Sequence, residues 1–319
     1  MLNYYPYYNF YNNADRKITE YRAIGGVYRH FFALPYKLVS TICCKIILKC
    51  AARETSFPLL NNQSGIIISL TSFPPRISSL HLVIRSLLKQ TCLPERIIIW
   101  LSEEEFPNKM NDIPSSLKSL IPYGLEIRFV PDNIRAHKKY FYCLKEFLDK
   151  IVITVDDDLY YPTYTIEKLL MMHTSFPYSI CANVIRKIAV ANHAFLPYKK
   201  WEKIFSMSLS VSHEYMAIGY GGVLYPPSFP TDKSFFDLNI IKMKCLYADD
   251  LWLKANELRL GVEVASGGDF FVNPITLPHS QKVGLQKRNN SSLKMNDIQW
   301  EKLRQYFNLD EIYARICQL

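Results

Sequence analysis

Three consecutive carboxylates, Asp156, Asp157 and Asp158, close the apolar run Ile151-Val152-Ile153-Thr154-Val155. A β-branched run of this kind reads as a buried strand of a parallel sheet. Carboxylates crowded at its end repel one another and lose hydration, which a cation among them relieves. Ligands of open α/β sheets bind outside this edge of the strands. The pattern therefore predicts a divalent metal at the mouth of a nucleotide-type site. Alternation along the strand puts Asp156 and Asp158 on one face and turns Asp157 away, into a structural position.

A second acidic pair, Asp249-Asp250, opens the probable helix Ala248-Asp249-Asp250-Leu251-Trp252-Leu253. Aspartate is favoured as a cap or in a first turn, so a structural account of Asp249 stands at even weight. Asp250 is the better candidate for a general base acting on an acceptor hydroxyl. Between the acidic motifs lies Gly219-Tyr220-Gly221-Gly222-Val223-Leu224-Tyr225-Pro226-Pro227. Side chains at its glycines, Gly221 and Gly222 among them, would hold a ligand off the backbone.

The elements that must position these groups alternate. Strands are expected at residues 65–70, 96–101 and 126–130, with the acidic strand following. Helical spacing runs over residues 77–90 (Ile77, Leu80, Ile84, Leu87, Leu88), and helices are expected at 140–149 and 163–175. Strand and helix in alternation predict an α/β sandwich with a largely parallel sheet. No glycine-rich phosphate loop follows the first strand, which argues against a dinucleotide enzyme or a P-loop NTPase. The loop there is Thr71-Ser72-Phe73-Pro74-Pro75-Arg76, placing Thr71 and Arg76 where nucleotide contacts are expected.

Composition bounds the class. The chain has 319 residues, 49% hydrophobic and 21% charged, with a formal charge of +9, which suits an anionic partner. Its cations are dispersed, and nucleic-acid binding, which favours a dense basic stripe, is not expected. Eight cysteines without a CxxC pair indicate neither a zinc site nor a disulfide framework, and a reducing cytosol is their simplest home. Residues 1–60 differ from the rest: tyrosines crowd the start, then apolar clusters alternate with Lys37, Lys45 and Lys49. Those lysines spoil a spanning helix but suit one lying in a membrane interface. The expected organisation is this basic, aromatic extension, a catalytic domain at 61–295 and a C-terminal helical tail at 296–319. The expected location is cytoplasmic, with peripheral contact at the inner face of the membrane.

The ordered motifs, from the Thr71–Arg76 loop through Lys138-Lys139-Tyr140-Phe141, Asp156-Asp157-Asp158, the Gly219 loop and Asp249-Asp250-Leu251-Trp252, resemble the GT-A glycosyltransferases. The likeness is greatest to bacterial enzymes of capsule and lipopolysaccharide synthesis and covers roughly residues 65–290. It implies a GT-A-type three-layer sandwich, with a nucleotide-binding half and an acceptor half. It also implies a nucleotide-sugar donor, a UDP-sugar in the first instance, and Mn²⁺ or Mg²⁺ bridging Asp158 and the diphosphate. Asp156 would bind the metal through water or hold the ribose. An acid at Asp250 serves as base in inverting members and only orients substrate in retaining ones. The resemblance further implies Lys138, with Asp132 nearby, beside the nucleotide, and His279 as a late metal ligand. Lys282, Lys287 and Arg288 would close over the diphosphate. The acceptor would be a hydroxyl of a glycan or of a lipid-linked sugar. Two other readings are a sugar-phosphate nucleotidyltransferase, which the absent glycine-rich loop disfavours, and a non-catalytic basic protein binding membrane or nucleic acid.

Overall fold

The computed structural model describes residues 5–20, 26–191, 194–205, 207–227, 229–268, 273–278 and 295–316. The chain divides into two compact units, Met1–Phe57 and Pro58–Leu319. The smaller unit contains two helices, α1 (Tyr5–Glu20) and α2 (Gly26–Arg53), packed against each other. Pro35 lies inside α2, where it offers no backbone N–H to the helix. None of the described helices is long and apolar enough to cross a membrane.

The larger unit is built on an eight-stranded sheet. Its strands are β1 (Ile66–Thr71), β2 (Arg96–Ser102), β3 (Leu125–Val130), β4 (Ile151–Thr154), β5 (Ile180–Ala182), β6 (Ser210–Ser212), β7 (Val223–Tyr225) and β8 (Val264–Ser266). Their spatial order is β6-β8-β5-β7-β4-β1-β2-β3. β1 pairs in parallel with both β2 and β4, and β3 continues in parallel beside β2. β7 enters antiparallel between β4 and β5, and β6 closes the far edge antiparallel to β8. The sheet is thus mainly parallel, with two reversed strands.

Alternation along the strands supplies both faces. Ile67, Ile98, Trp100 and Val152 join one core cluster with Tyr140, Cys143 and Leu144 of α4 (Lys138–Glu146). Ile68, Leu70, Ile97, Ile99 and Ile153 take the opposite sense and are fully buried. So are Leu80, Val83, Ile84 and Leu87 of α3 (Leu80–Leu87). Strands buried on both faces explain the continuous isoleucine runs. The result is a three-layer α/β sandwich.

Helix α5 (Thr165–Ser175) follows the acidic strand, and α6 (Leu238–Lys244) precedes α7 (Asp249–Leu260). The last helices, α8 (Met295–Phe307) and α9 (Leu309–Ile316), lie within the larger unit. Trp300, Leu303, Leu309 and Tyr313 are buried in the same core as Trp252 of α7. The aromatic stretch 178–227, irregular by pattern, holds several two- and three-residue strands, including a three-stranded sheet of 185–187, 202–204 and 215–217. Runs this short carry no periodicity to read. Seven cysteines are free among the described residues.

Candidate active site

Three structural junctions gather the acidic motifs. First, β4 ends at Thr154, and Val155 still donates to Ser69 O of β1 (3.1 Å), so Asp156 is the first residue clear of the sheet. The Asp156 backbone N–H is held by the buried Tyr161 hydroxyl at 2.7 Å. Second, β7 runs antiparallel to β4 with Val223 opposite Thr154. The glycine loop preceding β7 therefore arrives at the C-terminal end of β4. Third, the N-terminal turn of α4 lies beneath β1, with the Lys139 carbonyl accepting a hydrogen bond from Ser69 Oγ.

Lys139 is the centre of the site. Its Nζ stands 3.0 Å from Asp156 Oδ1 and 3.0 Å from Asp249 Oδ2, so one buried ammonium joins both acidic motifs. Sequence reasoning assigned the nucleotide-side role to Lys138. That side chain turns instead to Glu105 Oε2 (3.4 Å) and Asn133 Oδ1 (3.3 Å). Adjacent helical residues point in different directions, and the register of α4 could not be fixed from its Lys-Lys start. Asp132 is likewise engaged elsewhere, 2.9 Å from Lys242.

Helix α7 is capped by Ala248, with no side-chain cap bond, so neither Asp249 nor Asp250 is the cap. Asp249 faces Lys139, and the Gly219 backbone favours the Asp250 carboxylate. The lead-in to α7 is fastened from α4. His137 Nε2 lies 2.8 Å from Cys245 O, which can only accept, so Nε2 carries the proton. Nδ1, 2.7 Å from the Tyr140 hydroxyl, is then the acceptor. Complete burial drives the His137 pKa down to about 4 against the pull of Asp249, so the ring is neutral and adds no charge.

The acids respond differently to this setting. Burial alone would raise Asp249, but the Lys139 ammonium outweighs it and holds the carboxyl below its ordinary value. Asp250 is pushed up to about 8 by burial and then by the Asp249 charge. Asp158 is pushed up to about 7 by burial and then by Asp156. The acids lie beyond the strand end, so alternation does not sort them: Asp157 shares Arg76 with Asp158, while Asp156 faces Lys139. Asp157 accepts from Ser72 Oγ (2.6 Å) and from Arg76 Nη1 (2.5 Å), while Arg76 Nη2 reaches Asp158 Oδ2 at 3.1 Å. Arg76 is therefore bound into the acidic turn, as its largest stabilising partners, Asp157 and Asp158, show. Thr71 bonds Trp100 O through its hydroxyl (2.7 Å) at the end of β1.

The glycine that matters at the acids is Gly219. A Cβ there would meet Asp156 Oδ1 at 2.9 Å and Lys139 Nζ at 3.1 Å. Gly222 answers to packing: its φ is +94°, and a Cβ would meet Leu169 at 3.3 Å. Gly221 also has a positive φ (+90°), and its carbonyl accepts from Asn183 Nδ2 at 2.7 Å. The positive φ at Gly221 and Gly222 favours glycine at both positions. Leu277 N donates to Asp158 O (2.8 Å), tying the segment near residue 277 to the acidic turn. His279 and Lys282, with Lys287 and Arg288, lie outside the described residues.

Five carboxyls thus meet two cations, Lys139 and Arg76, at the C-terminal edge of the sheet. Such a site attracts further positive charge and contains two acids, Asp158 and Asp250, raised to the neighbourhood of neutrality.

No known family model and no curated protein matches this chain. Among solved structures, it is similar to CMP:2-keto-3-deoxy-manno-octonic acid synthetase complexed with CTP, at 11% identity and a TM-score of 0.38, over 71% of this chain and 96% of that one. It is also similar to S. aureus TarS 1–349 in complex with UDP, at 12% identity and a TM-score of 0.41, over 65% of this chain and 59% of that one. A second structure of TarS 1–349 gives 11% identity and a TM-score of 0.42, over 76% and 71%. Likenesses this weak establish no shared activity.

Proposed function

We propose that the protein is a metal-dependent glycosyltransferase, moving a sugar from a nucleotide-sugar to an acceptor hydroxyl of a glycan or lipid-linked saccharide in surface-polysaccharide synthesis. A UDP-sugar is the first donor to test. The observation that carries the reading is the convergence of Asp156, Asp249 and Asp250 around Lys139, with Asp158 held alongside by Arg76, at the ligand-binding edge of the sheet.

The donor set fits Mn²⁺ or Mg²⁺. Asp158 is raised to about 7 by burial and then by Asp156, despite Arg76 alongside, and a cation at its carboxyl would favour the ionised form. Among the described residues no three His, Cys, Asp or Glu side chains form a cage. A hard cation held by one or two carboxylates takes its other ligands from phosphate oxygens and water. Asp158 would hold it, with Asp156 directly or through water. When bound, the ion acts as a Lewis acid on the departing nucleoside diphosphate.

The remaining work falls to the chain. Lys139 keeps Asp156 and Asp249 together and favours the Asp249 carboxylate. Asp249 in turn raises Asp250, which in its carboxylate form takes the acceptor hydroxyl proton as the acceptor oxygen attacks the anomeric carbon. The bond from that carbon to the phosphate oxygen breaks, and its electron pair leaves on the nucleoside diphosphate. In a retaining reaction Asp250 orients the acceptor and takes no proton. Gly219 leaves room for these groups. The test is release of nucleoside diphosphate from a panel of nucleotide-sugars, with and without Mn²⁺ or Mg²⁺. Metal-stimulated release supports the reading, and no release from any donor counts against it.

A further inference from the structure

Helix α2 is apolar on two sides, and that calls for two partners. Ala33, Ser40, Cys43, Leu48 and Ala51 are buried on one side. At spacings of four, Leu34, Leu38 and Ile42 line the opposite side, exposed by 59%, 60% and 48%. The stripe continues with the exposed Lys45 and Lys49. From Gly26 to Arg53 the sequence contains no Asp or Glu, and the whole chain carries +9. Exposed aliphatic side chains ending in lysines, with no acid along the helix, complement an anionic bilayer surface: leucines for the acyl boundary, ammonium groups for the headgroups. Among the described residues no helix is long and apolar enough to cross a membrane.

We propose that this face of α2 seats the protein on an anionic lipid surface. The proposal is independent of the transfer reaction, since its readout involves neither nucleotide nor turnover. The probes are phosphatidylcholine vesicles with and without phosphatidylglycerol, in low salt, sedimented with the full chain. The protein should pellet with the anionic vesicles and stay in solution with the neutral ones. Leu34→Gln/Leu38→Gln/Ile42→Gln, which keeps good helix formers in the helix, should lower partitioning by about tenfold or more. Lys45→Gln and Lys49→Gln should each lower it roughly fivefold. Leu38→Trp gives a second readout that does not depend on the Gln variant folding. The native Trp100, Trp201, Trp252 and Trp300 are buried, so quenching by brominated acyl chains reports the new indole. Quenching supports the seat. No pelleting, pelleting that ignores the Gln substitutions, or an indole left unquenched in the Leu38→Trp variant overturns it. A dimer in light scattering that the triple variant dissolves also overturns it, assigning the face to a second copy of the chain.

Discussion

Replacing Lys139 by methionine removes the ammonium while keeping an unbranched stem of similar length. In the native protein that ammonium is 3.0 Å from both Asp156 and Asp249. Breaking a buried ion pair by deleting one partner costs about 3–5 kcal/mol, because the other charge stays buried and unpaired. Asp249, with only 13% of its side chain exposed, should incur most of this; Asp156, 30% exposed, is partly rescued by water. The expected loss is about 3 kcal/mol at neutral pH. That is a large share of the roughly 5–15 kcal/mol that keeps a domain folded. The pH dependence has a definite sign. Asp249 has a lowered folded pKa, so its contribution is present above its unfolded value, about 4, and disappears as pH falls through the folded value. The deficit of Lys139→Met should therefore shrink in acid, where the carboxylates are protonated and no longer need the cation. Adding Asp249→Asn should recover part of the loss, since the stranded charge is gone. Urea unfolding of the three proteins across pH provides the measurement. A single variant within about 1 kcal/mol of wild type, or a deficit that grows in acid, would refute the placement of Lys139.

Other expectations concern chemistry. Asp250→Asn should keep donor binding and lose transfer by about 10²-fold or more, roughly the worth of a general base; persistent transfer removes Asp250 from that role. The pH profile of kcat/KM should rise as Asp250 loses its proton, through about pH 8, and a profile falling over that interval contradicts the assignment. Gly219→Ala should fold normally yet lose at least about tenfold in turnover, because the new Cβ, 2.9 Å from Asp156 Oδ1, displaces the acid. Unchanged kinetics would show that the close approach is slack.

The α/β alternation was legible because isoleucine runs such as 66–68 and 97–99 fit a doubly covered sheet better than any other setting. The acidic motifs were legible because five acids in two short clusters are conspicuous in a basic chain. What joins them was not. Lys139 sits beside Lys138 in the sequence, and only the register of α4 decides which one enters the acid cluster. His137 carries no ligand spacing, yet its Nε2–H bond to Cys245 O ties the start of α4 to the lead-in to α7, 108 residues away. The roles of the glycines depended on backbone φ and on which atoms face each Cβ, quantities with no sequence periodicity. The pairing of Arg76 with Asp157 and Asp158 was not legible either, since it required the fold of both loops at once.

The central claim is that the acidic centre binds a nucleotide through a divalent cation. Calorimetric titration of the full chain with UDP, GDP and CDP, with and without Mn²⁺ or Mg²⁺, addresses it directly. One nucleotide should bind only when the cation is present, and Asp158→Ala should abolish that dependence while the protein stays folded. Equal binding without cation, or cation-dependent binding untouched by Asp158→Ala, would contradict the account.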